Sequence, residues 1–177
     1  IQQVSTILQS PIHEQRHLAL LIWTYQYKAN KSAPKIQQKI YDTYIAHSAW
    51  INNWDLVDTS TPHIMGEHLL HRNRAILHQW VQSDSLWERR MSIVATWAFI
   101  KRHDFKETLI ISTKLLGDSE DLIHKAVGCM LREMGKRDLE PLYEFLDQHH
   151  TTMPRTMLRY SIERLSPTKK TLYMRKK

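Results

Sequence analysis

Met91-Ser92-Ile93-Val94-Ala95-Thr96-Trp97-Ala98-Phe99-Ile100 is the stretch that decides the fold of this chain. It is apolar on most sides, which is typical of the core of a buried helix. Residues 17–23 and 108–116 have the same character, and the second of these segments ends at Gly117. The sequence has no convincing segments in which apolar and polar residues alternate, as in β-strands, joined by Gly-containing hairpin turns. The sequence therefore predicts an all-α fold.

The prolines and the apolar spacing together predict about ten helices. Each proline stands where a helix can begin, because the N–H that proline lacks would be unpaired at the first helical position. Gly66 and Gly128 lie inside helical segments, where Gly costs roughly 1 kcal/mol relative to Ala. We therefore expect each of them to mark a close approach of another backbone, from protein or nucleic acid. The predicted helices cover residues 2–9, 12–29, 34–50, 54–71, 73–82, 86–102, 106–116, 119–134, 138–149 and 155–175, the last broken at Pro167.

A weak repeat at the starts of the long helices predicts how they pack. Residues 10–16 (SPIHEQR) resemble residues 83–90 (SDSLWERR), and each segment opens a long apolar helix. Basic residues recur in comparable places at the later helices. The steps from Arg90 to Lys125 and from Lys125 to Arg155 are 35 and 30 residues, near the period of paired-helix repeats. We predict a right-handed solenoid of paired antiparallel helices with a concave face. Four basic residues on that face would follow a phosphate backbone: Arg16, Arg90, Lys125 and Arg155.

Length and composition predict a single domain over residues 1–177. Charged residues interrupt every apolar stretch, so there is no run of 18 apolar residues and a membrane span is excluded. Cys129 is the single cysteine, which rules out an internal disulfide and favours a reducing, cytoplasmic compartment. Because the chain opens with Ile1 and has no secretory signal, we expect an N-terminal piece to be missing.

The net charge of +7 lies entirely near the C-terminus. Residues 1–150 contain 17 Lys+Arg and 17 Asp+Glu, whereas residues 151–177 contain 8 Lys+Arg and one acidic residue. Such a block favours a polyanionic partner, with nucleic acid as the first candidate, and its alternative is a solvated basic tail. The basic block consists of Arg155, Arg159, Arg164, Lys169, Lys170, Arg175, Lys176 and Lys177.

The segment 52–58 (NNWDLVD) is the strongest candidate for a functional site. If a helix opens here, Trp54 and Asp58 share one face one turn apart. A carboxylate beside an indole suits a site that stabilises positive charge on a ligand. Asp55 is assigned a structural role, because a carboxylate at the start of a helix is stabilised by the positive end of the helix dipole. Asn52 or Asn53 is assigned as the cap of this helix.

Other candidate residues are given structural interpretations. Trp23, Trp80 and Trp97 are assigned to the core. The eleven histidines include close pairs, but no Cys/His spacing recurs, so the sequence predicts no metal site and no cofactor. Cys129 is interpreted as a small buried residue in preference to a nucleophile.

Several motifs, in order along nearly the whole chain, resemble the AlkD-like DNA alkylation repair family. They are residues 53–58 (NWDLVD), 87–90 (WERR), 125–128 (KAVG), 131–133 (LRE) and 153–160 (MPRTMLRY). The resemblance implies a single domain of HEAT-like helical repeats with a concave, basic DNA-binding face. The first helices of family members are expected to be missing here.

The resemblance also implies an activity and a set of site residues. The activity is removal of N3- and N7-alkylated purines from double-stranded DNA by cleavage of the N-glycosidic bond, without metal or cofactor. Asp58 corresponds to the catalytic carboxylate, Trp54 to an aromatic beside the damaged nucleotide and Arg90 to an arginine on the DNA backbone. We expect a cytoplasmic, nucleoid-associated monomer. Further DNA or substrate contacts are assigned to Lys125, Cys129, Arg155 and Arg159.

One departure from the family pattern leaves two alternatives open. Active family members carry a second tryptophan directly after the glycine of the 125–128 motif, and Cys129 stands there in this chain. Because a thiol has no π face, one wall of the aromatic site is absent. The alternatives are a non-catalytic HEAT-repeat protein that binds damaged or branched DNA, and a protein-interaction scaffold.

Overall fold

The all-α prediction is confirmed by the structure of the chain. The computed structural model describes residues 1–175, and within them every regular element is a helix. Lys176 and Lys177 of the predicted basic block lie outside the described residues. The α-helices are α1 Gln2–Leu8, α2 His13–Ala29, α3 Pro34–Ala46, α4 Trp54–Ser60, α5 Glu67–Leu69, α6 Ala75–Trp80, α7 Leu86–Val94, α8 Trp97–Ile100, α9 Lys106–Lys114, α10 Asp121–Gly135, α11 Leu139–His149, α12 Arg155–Ser161 and α13 Pro167–Met174.

The predicted helix 54–71 is interrupted by a π-helical turn, Pro62–Gly66. Pro62 has no N–H, so it cannot donate to the carbonyl of Asp58 four residues earlier. The backbone shifts to wider spacing, and the N–H of Gly66 bonds the carbonyl of Thr61 at 2.9 Å. Such insertions occur often at functional sites. A smaller feature, the 3₁₀ turn Ser48–Trp50, replaces the end of the predicted helix 34–50.

The predicted helix 86–102 is likewise divided, into α7 and α8. The hydroxyl of Thr96 donates to the carbonyl of Ile93 at 2.7 Å, and the backbone N–H of Thr96 bonds the same carbonyl at 3.1 Å. Hydroxyl side chains compete in this way for the carbonyls of a helical backbone. At its beginning α7 is capped by Ser85, whose side chain accepts from the N–H of Glu88 at 3.4 Å.

The helices pack in two layers. One row runs α2, α4, α7, α10 and α12, and each helix contacts the next. On the other side α3 packs on α2, α6 and α9 pack on α7, and α11 packs on α10. Leu56, Ile93, Leu131 and Leu158 are fully buried within the row. This arrangement agrees with paired helices, and the right-handed twist of a solenoid stays a prediction.

The two glycines inside helices lie where another backbone comes close, as predicted. A Cβ at Gly128 would be 2.7 Å from the carbonyl oxygen of Met157, against α12. A Cβ at Gly66 would be 2.8 Å from the Cβ of Ala98 and would also clash with the carbonyl of Ala95. In both cases the close backbone belongs to the protein. Gly128 sets the distance between α10 and α12, and Gly66 sets that between the π-helical turn and the start of α8.

The tryptophan assignments hold for two of three residues. Trp23 is fully buried and Trp80 is 6% exposed. Trp97 is only partly buried, because it opens α8 at the wall of a cavity. Its assignment to the core was therefore incomplete. In the part of the chain that the structure describes, no helix is long and apolar enough to cross a membrane.

Candidate active site

The candidate active site is a cavity of about 490 Å³ along the helix row. Residues from α4, α7, α8, α10 and α12 line it, together with the π-helical turn. Five of the residues singled out from the sequence meet here: Trp54, Asp58, Arg90, Lys125 and Cys129. We call this cavity the first cleft. The predicted sharing of one face by Trp54 and Asp58 agrees with their joint position on its wall.

Asp58 presents its carboxylate to the first cleft while Arg90 holds it from behind. The two side chains form a double hydrogen bond, from Nε to Oδ1 at 3.0 Å and from Nη2 to Oδ2 at 2.7 Å. The Asp58 side chain is 37% exposed, and that of Arg90 only 6%. Each carboxylate oxygen has a second lone pair. The pairing therefore fixes the carboxylate and leaves acceptor capacity facing the cleft.

Local sequence explains how α4 brings Trp54 and Asp58 into position. Asn53 caps the helix, its side chain accepting from the N–H of Trp54 at 2.7 Å. Asp55 lies in the first turn and pairs with the Nε2 of His13 at 2.7 Å. The structural roles predicted for Asn53 and Asp55 are therefore confirmed. Trp54 remains 54% exposed, which is unusual for an indole and places its ring within reach of a ligand.

Arg90 is engaged differently from the sequence-based assignment to the DNA backbone. Besides Asp58, its guanidinium donates through Nη1 to the carbonyl of Leu122 in α10. Only 5% of the residue is exposed. A guanidinium buried between α4 and α10 has little surface to offer a phosphate, so its direct role in this structure is to orient Asp58.

Lys125 stands at the rim of the first cleft as an ammonium group. Its Nζ is 2.7 Å from Oδ2 of Asp121, one turn earlier in α10. Hydrogen bonding to Asp121 raises the pKa of Lys125. The amine is therefore protonated at neutral pH, which suits a phosphate contact and opposes a nucleophilic role.

Cys129 forms part of the wall of the first cleft, one turn after Lys125. It is partly buried, and this burial raises the pKa of its thiol. The Nη2 of Arg132 lies 3.7 Å from its sulfur. A protonated thiol is a weak nucleophile, which agrees with the interpretation of Cys129 as a small packing residue. Arg132 itself bonds Glu163, with Glu133 at 3.9 Å.

A sequence model described as DNA alkylation repair enzyme matches residues 1–165 of this chain. The chain belongs to the DNA alkylation repair enzyme family. DNA is accordingly its partner at the level of the family. Comparison with curated proteins gives no match.

Two predicted DNA contacts of this repair enzyme do not line the first cleft. Arg155 is the first residue of α12, and its Nη2 donates to the carbonyl of Met174 at 3.0 Å, so it ties α12 to the end of α13. Arg159 is exposed one turn further along α12. The cleft takes Tyr160 from this helix instead.

Arg16 bonds a backbone carbonyl, and the same contact recurs in the second copy of the sequence repeat. Its Nη1 donates to the carbonyl of Ser10 at 3.0 Å. In the second copy of the repeat, Nη1 of Arg89 donates to the carbonyl of Ser83 at 2.9 Å. Arg16 therefore corresponds to Arg89, and both close the loop before a long helix. Its predicted place beside Arg90 on a phosphate-binding face was wrong in register.

Sequence reasoning missed several aromatic residues of the first cleft in this repair enzyme. Trp97 and Tyr160 line its wall, and the ring of His63 meets Trp97 edge-on with centroids 5.7 Å apart. Burial lowers the pKa of His63, helped by the charge of Lys101, so the imidazole is neutral at physiological pH. The only signal for Trp97 was its position after a helix break, because hydroxyl groups at 92 and 96 divide the helix there.

Proposed function

We propose that this repair enzyme is a monofunctional DNA glycosylase that removes N3- and N7-alkylated purines. The observation that carries the proposal is the Asp58 carboxylate, fixed by two hydrogen bonds from Arg90 and open to the first cleft beside an exposed indole. Double-stranded DNA containing alkylated bases is the proposed substrate. The enzyme acts as a monomer through one HEAT-like domain over residues 1–177.

The chemistry of the substrate explains why one carboxylate is enough. An N3- or N7-alkylpurine already carries a positive charge and departs as a neutral base. It needs no protonation on leaving, so the acid of an ordinary glycosidase pair is unnecessary. The barrier instead requires stabilisation of the oxocarbenium-like sugar, or orientation of the attacking water. Asp58 supplies either of these interactions.

Coulomb attraction between the Asp58 carboxylate and the positively charged sugar sets the size of the rate acceleration. Opposite unit charges about 4 Å apart attract by roughly 4 kcal/mol at an effective dielectric near 20. If this attraction develops only in the transition state, it accelerates the reaction on the order of a thousandfold. Arg90 reduces the net charge at the site, but it also fixes the carboxylate before reaction. A preorganised group has no reorganisation to undergo when charge develops.

The neighbouring residues have proposed supporting roles. Trp54 contacts the cationic base or its deoxyribose, since an indole face attracts cations. Lys125 exchanges its partner Asp121 for a backbone phosphate near the lesion. Cys129 leaves space in the wall beside the damaged nucleotide. Arg155 and Arg159 contribute more distant phosphate contacts.

The test is release of alkylated base from methylated duplex DNA under single-turnover conditions. Asp58→Asn keeps the shape of the side chain and removes its charge, and the rate should fall about a thousandfold. Asp55→Asn is the matched control, because Asp55 lies three residues away on the same helix and pairs with His13. It should release base at close to the wild-type rate. DNA binding without release from any alkylated substrate would exclude the glycosylase.

A further inference from the structure

The geometry points to a second DNA-binding site, a basic cleft beside the first that holds backbone phosphates of the same duplex a few base pairs from the reacting nucleotide. This second cleft has a volume of about 580 Å³. It lies where α2, α5 and α8 end. Its partner, DNA, is taken from the family, and its relation to a reacting nucleotide rests on the proposed function. Its basic side chains are Lys28, Lys31, Arg72, Lys101 and Arg102.

The charge of the second cleft is strongly unbalanced. Five Lys and Arg side chains line it against a single carboxylate, Glu67. Glu67 is shared by two of the cations, Lys101 at 3.2 Å and Arg102 at 2.9 Å. Burial raises the pKa of Glu67, but hydrogen bonds from Arg102 and Lys101 outweigh burial and lower it overall. The carboxylate therefore stays ionised and orders these two cations.

The remaining three cations have no acidic partner in the described structure. Within residues 1–175, Lys28, Lys31 and Arg72 form no ion pair. Arg72 donates through Nη1 to the carbonyl of His68 at 2.7 Å, as a residue closing a helix does. Lys28 and Lys31 are exposed at the end of α2. The C-terminal ends of helices favour cations, but this tendency alone does not bring five Lys and Arg side chains to one cleft.

The second cleft adjoins the first. His63 lines both cavities. Trp97 lines the first cleft, and the Nζ of Lys101, which lines the second, lies 4.1 Å from the centroid of the Trp97 ring. The cluster of cations is therefore a direct neighbour of the site at Asp58, with His63 and Trp97 between them.

The position of the second cleft fits a nucleic-acid backbone. It shares His63 with the first cleft, and phosphates of one strand are spaced about 3.4 Å apart along the duplex axis. A duplex whose reacting nucleotide lies in the first cleft therefore brings neighbouring phosphates to the cations of the second.

The sequence conceals this site because charges were averaged along the chain. Residues 1–150 have equal numbers of acidic and basic residues and looked neutral. Folding separates these charges, since carboxylates such as Asp118 and Glu107 pair elsewhere, with Arg89 and His78. Packing of α2, α5 and α8 then gathers cations that are distant in sequence.

The test compares two double variants in DNA binding. Lys28→Gln/Lys31→Gln removes two cations of the second cleft, and Lys35→Gln/Lys39→Gln removes two exposed lysines of α3 that line neither cleft. Affinity for a fluorescent duplex of undamaged DNA is measured between about 50 and 200 mM salt. The slope of log affinity against log salt should become shallower by about 1.8 in the first variant and change little in the second. Equal slopes in the two variants would overturn the second site and leave the cleft to another kind of partner, such as an acidic peptide.

A second measurement addresses the register and separates the two proposals. A neutral methylphosphonate linkage is moved along a duplex that carries an alkylated purine, with Asp58→Asn enzyme to prevent turnover. The position at which the neutral linkage lowers affinity identifies the phosphate at the second cleft, and this loss should disappear when Lys28 and Lys31 are also replaced. Additive losses would exclude contact between that phosphate and the cleft. If the lysine effects appear but wild type releases no base, the glycosylase fails and the second site stands. If base is released and the lysine variants match their control, the second site fails and the glycosylase stands.

Discussion

Arg90 and Asp58 form a double hydrogen bond between α7 and α4, with N–O distances of 3.0 and 2.7 Å. The arginine is buried and the carboxylate faces the cleft, so Arg90 orients the carboxylate that Asp58 presents to the cleft. A planar guanidinium fixes both carboxylate oxygens at once, which a lysine cannot do. The positioning of Asp58 is therefore the first feature to test.

Replacing Arg90 with lysine should slow base release without abolishing DNA binding. The charge behind Asp58 is retained but its fork geometry is lost, so the carboxylate is free to turn. Displacement of a reacting group by about 1 Å can cost on the order of a hundredfold in rate. Single-turnover release and duplex affinity measured together would separate these effects. Arg89→Lys is the matched control, because Arg89 pairs with Asp118 outside the cleft, and a rate loss equal to that of Arg90→Lys would contradict the positioning role.

Lys125 should act in binding and form no covalent intermediate. Hydrogen bonding to Asp121 raises the pKa of Lys125, so its amine is protonated and cannot attack the sugar. Borohydride added during the reaction should trap no adduct between enzyme and DNA. Lys125→Gln should make the salt dependence of DNA affinity shallower by about 0.9, as expected for one lost phosphate contact. A trapped adduct that vanishes in Lys125→Gln would instead identify a lyase.

The space at Cys129 can be examined by restoring an aromatic wall. Cys129→Trp should strengthen discrimination between alkylated and undamaged duplex by about tenfold, the lower range for one base–aromatic contact. Cys129→Ser is the control of similar size. Since burial raises the pKa of the Cys129 thiol, the sulfur is not a ready nucleophile, and Cys129→Ser should still release base. Enzyme that binds DNA but gains activity only as Cys129→Trp would support the non-catalytic alternative.

Local rules predicted those parts of the fold and site that depend on neighbours in sequence. The i, i+4 spacing was sufficient to place Trp54 and Asp58 on one wall, and Asn53 caps their helix as expected. The partnership of Asp58 with Arg90 spans 32 residues and depends on how α4 packs against α7. No periodicity in the sequence contains that information. The same holds for Trp97 and Tyr160, which reach the cleft only through helix packing.

Charge was the property for which sequence order was least informative. The block near the C-terminus predicts a DNA contact through Arg155, which lies outside the first cleft and donates to the carbonyl of Met174. Meanwhile the second cleft gathers cations from segments that are neutral on average. Electrostatic potential depends on distances in space, so a running charge count detects it only when neighbours in sequence stay neighbours in the fold.

Stability should fall in mild acid because His68 is buried as a neutral ring. Its Nδ1 is 3.0 Å from the hydroxyl of Tyr27, and its ring stacks on Tyr41 with centroids 3.9 Å apart. Burial lowers the pKa of His68 from 6.5 to about 4. Between these values the unfolded chain binds a proton that the folded chain does not, so this contribution is complete above pH 6.5 and is lost as pH falls toward 4.

The slope of the free energy of unfolding against pH is the quantity to measure. Up to about 1.4 kcal/mol per pH unit should be lost in this window through His68 alone. Urea unfolding of wild type and of His68→Gln at a series of pH values would isolate it, because glutamine does not titrate. The variant should be less stable at neutral pH, with a flatter dependence below pH 6.5. Parallel curves for the two proteins would remove His68 as the cause.

Gly128 should resist substitution although it lies inside a helix. In an isolated helix Gly→Ala stabilises by roughly 1 kcal/mol. At Gly128 the added Cβ would meet the side chain of Tyr160 and stand 2.7 Å from the carbonyl oxygen of Met157, so α10 and α12 must separate. Overpacking of this kind costs about 1–3 kcal/mol. Tyr160 would move with α12, and the first cleft would widen.

Gly117→Ala provides the control, because nothing lies within 4 Å of a Cβ built there. Its free energy of unfolding in urea should stay within about 0.5 kcal/mol of wild type. Gly128→Ala should be clearly destabilised and should also bind alkylated duplex more weakly at a temperature where both variants are folded. Stabilisation by Gly128→Ala would mean that α10 and α12 are not in contact at this glycine. The wall of the first cleft contributed by Tyr160 would then have to be reassigned.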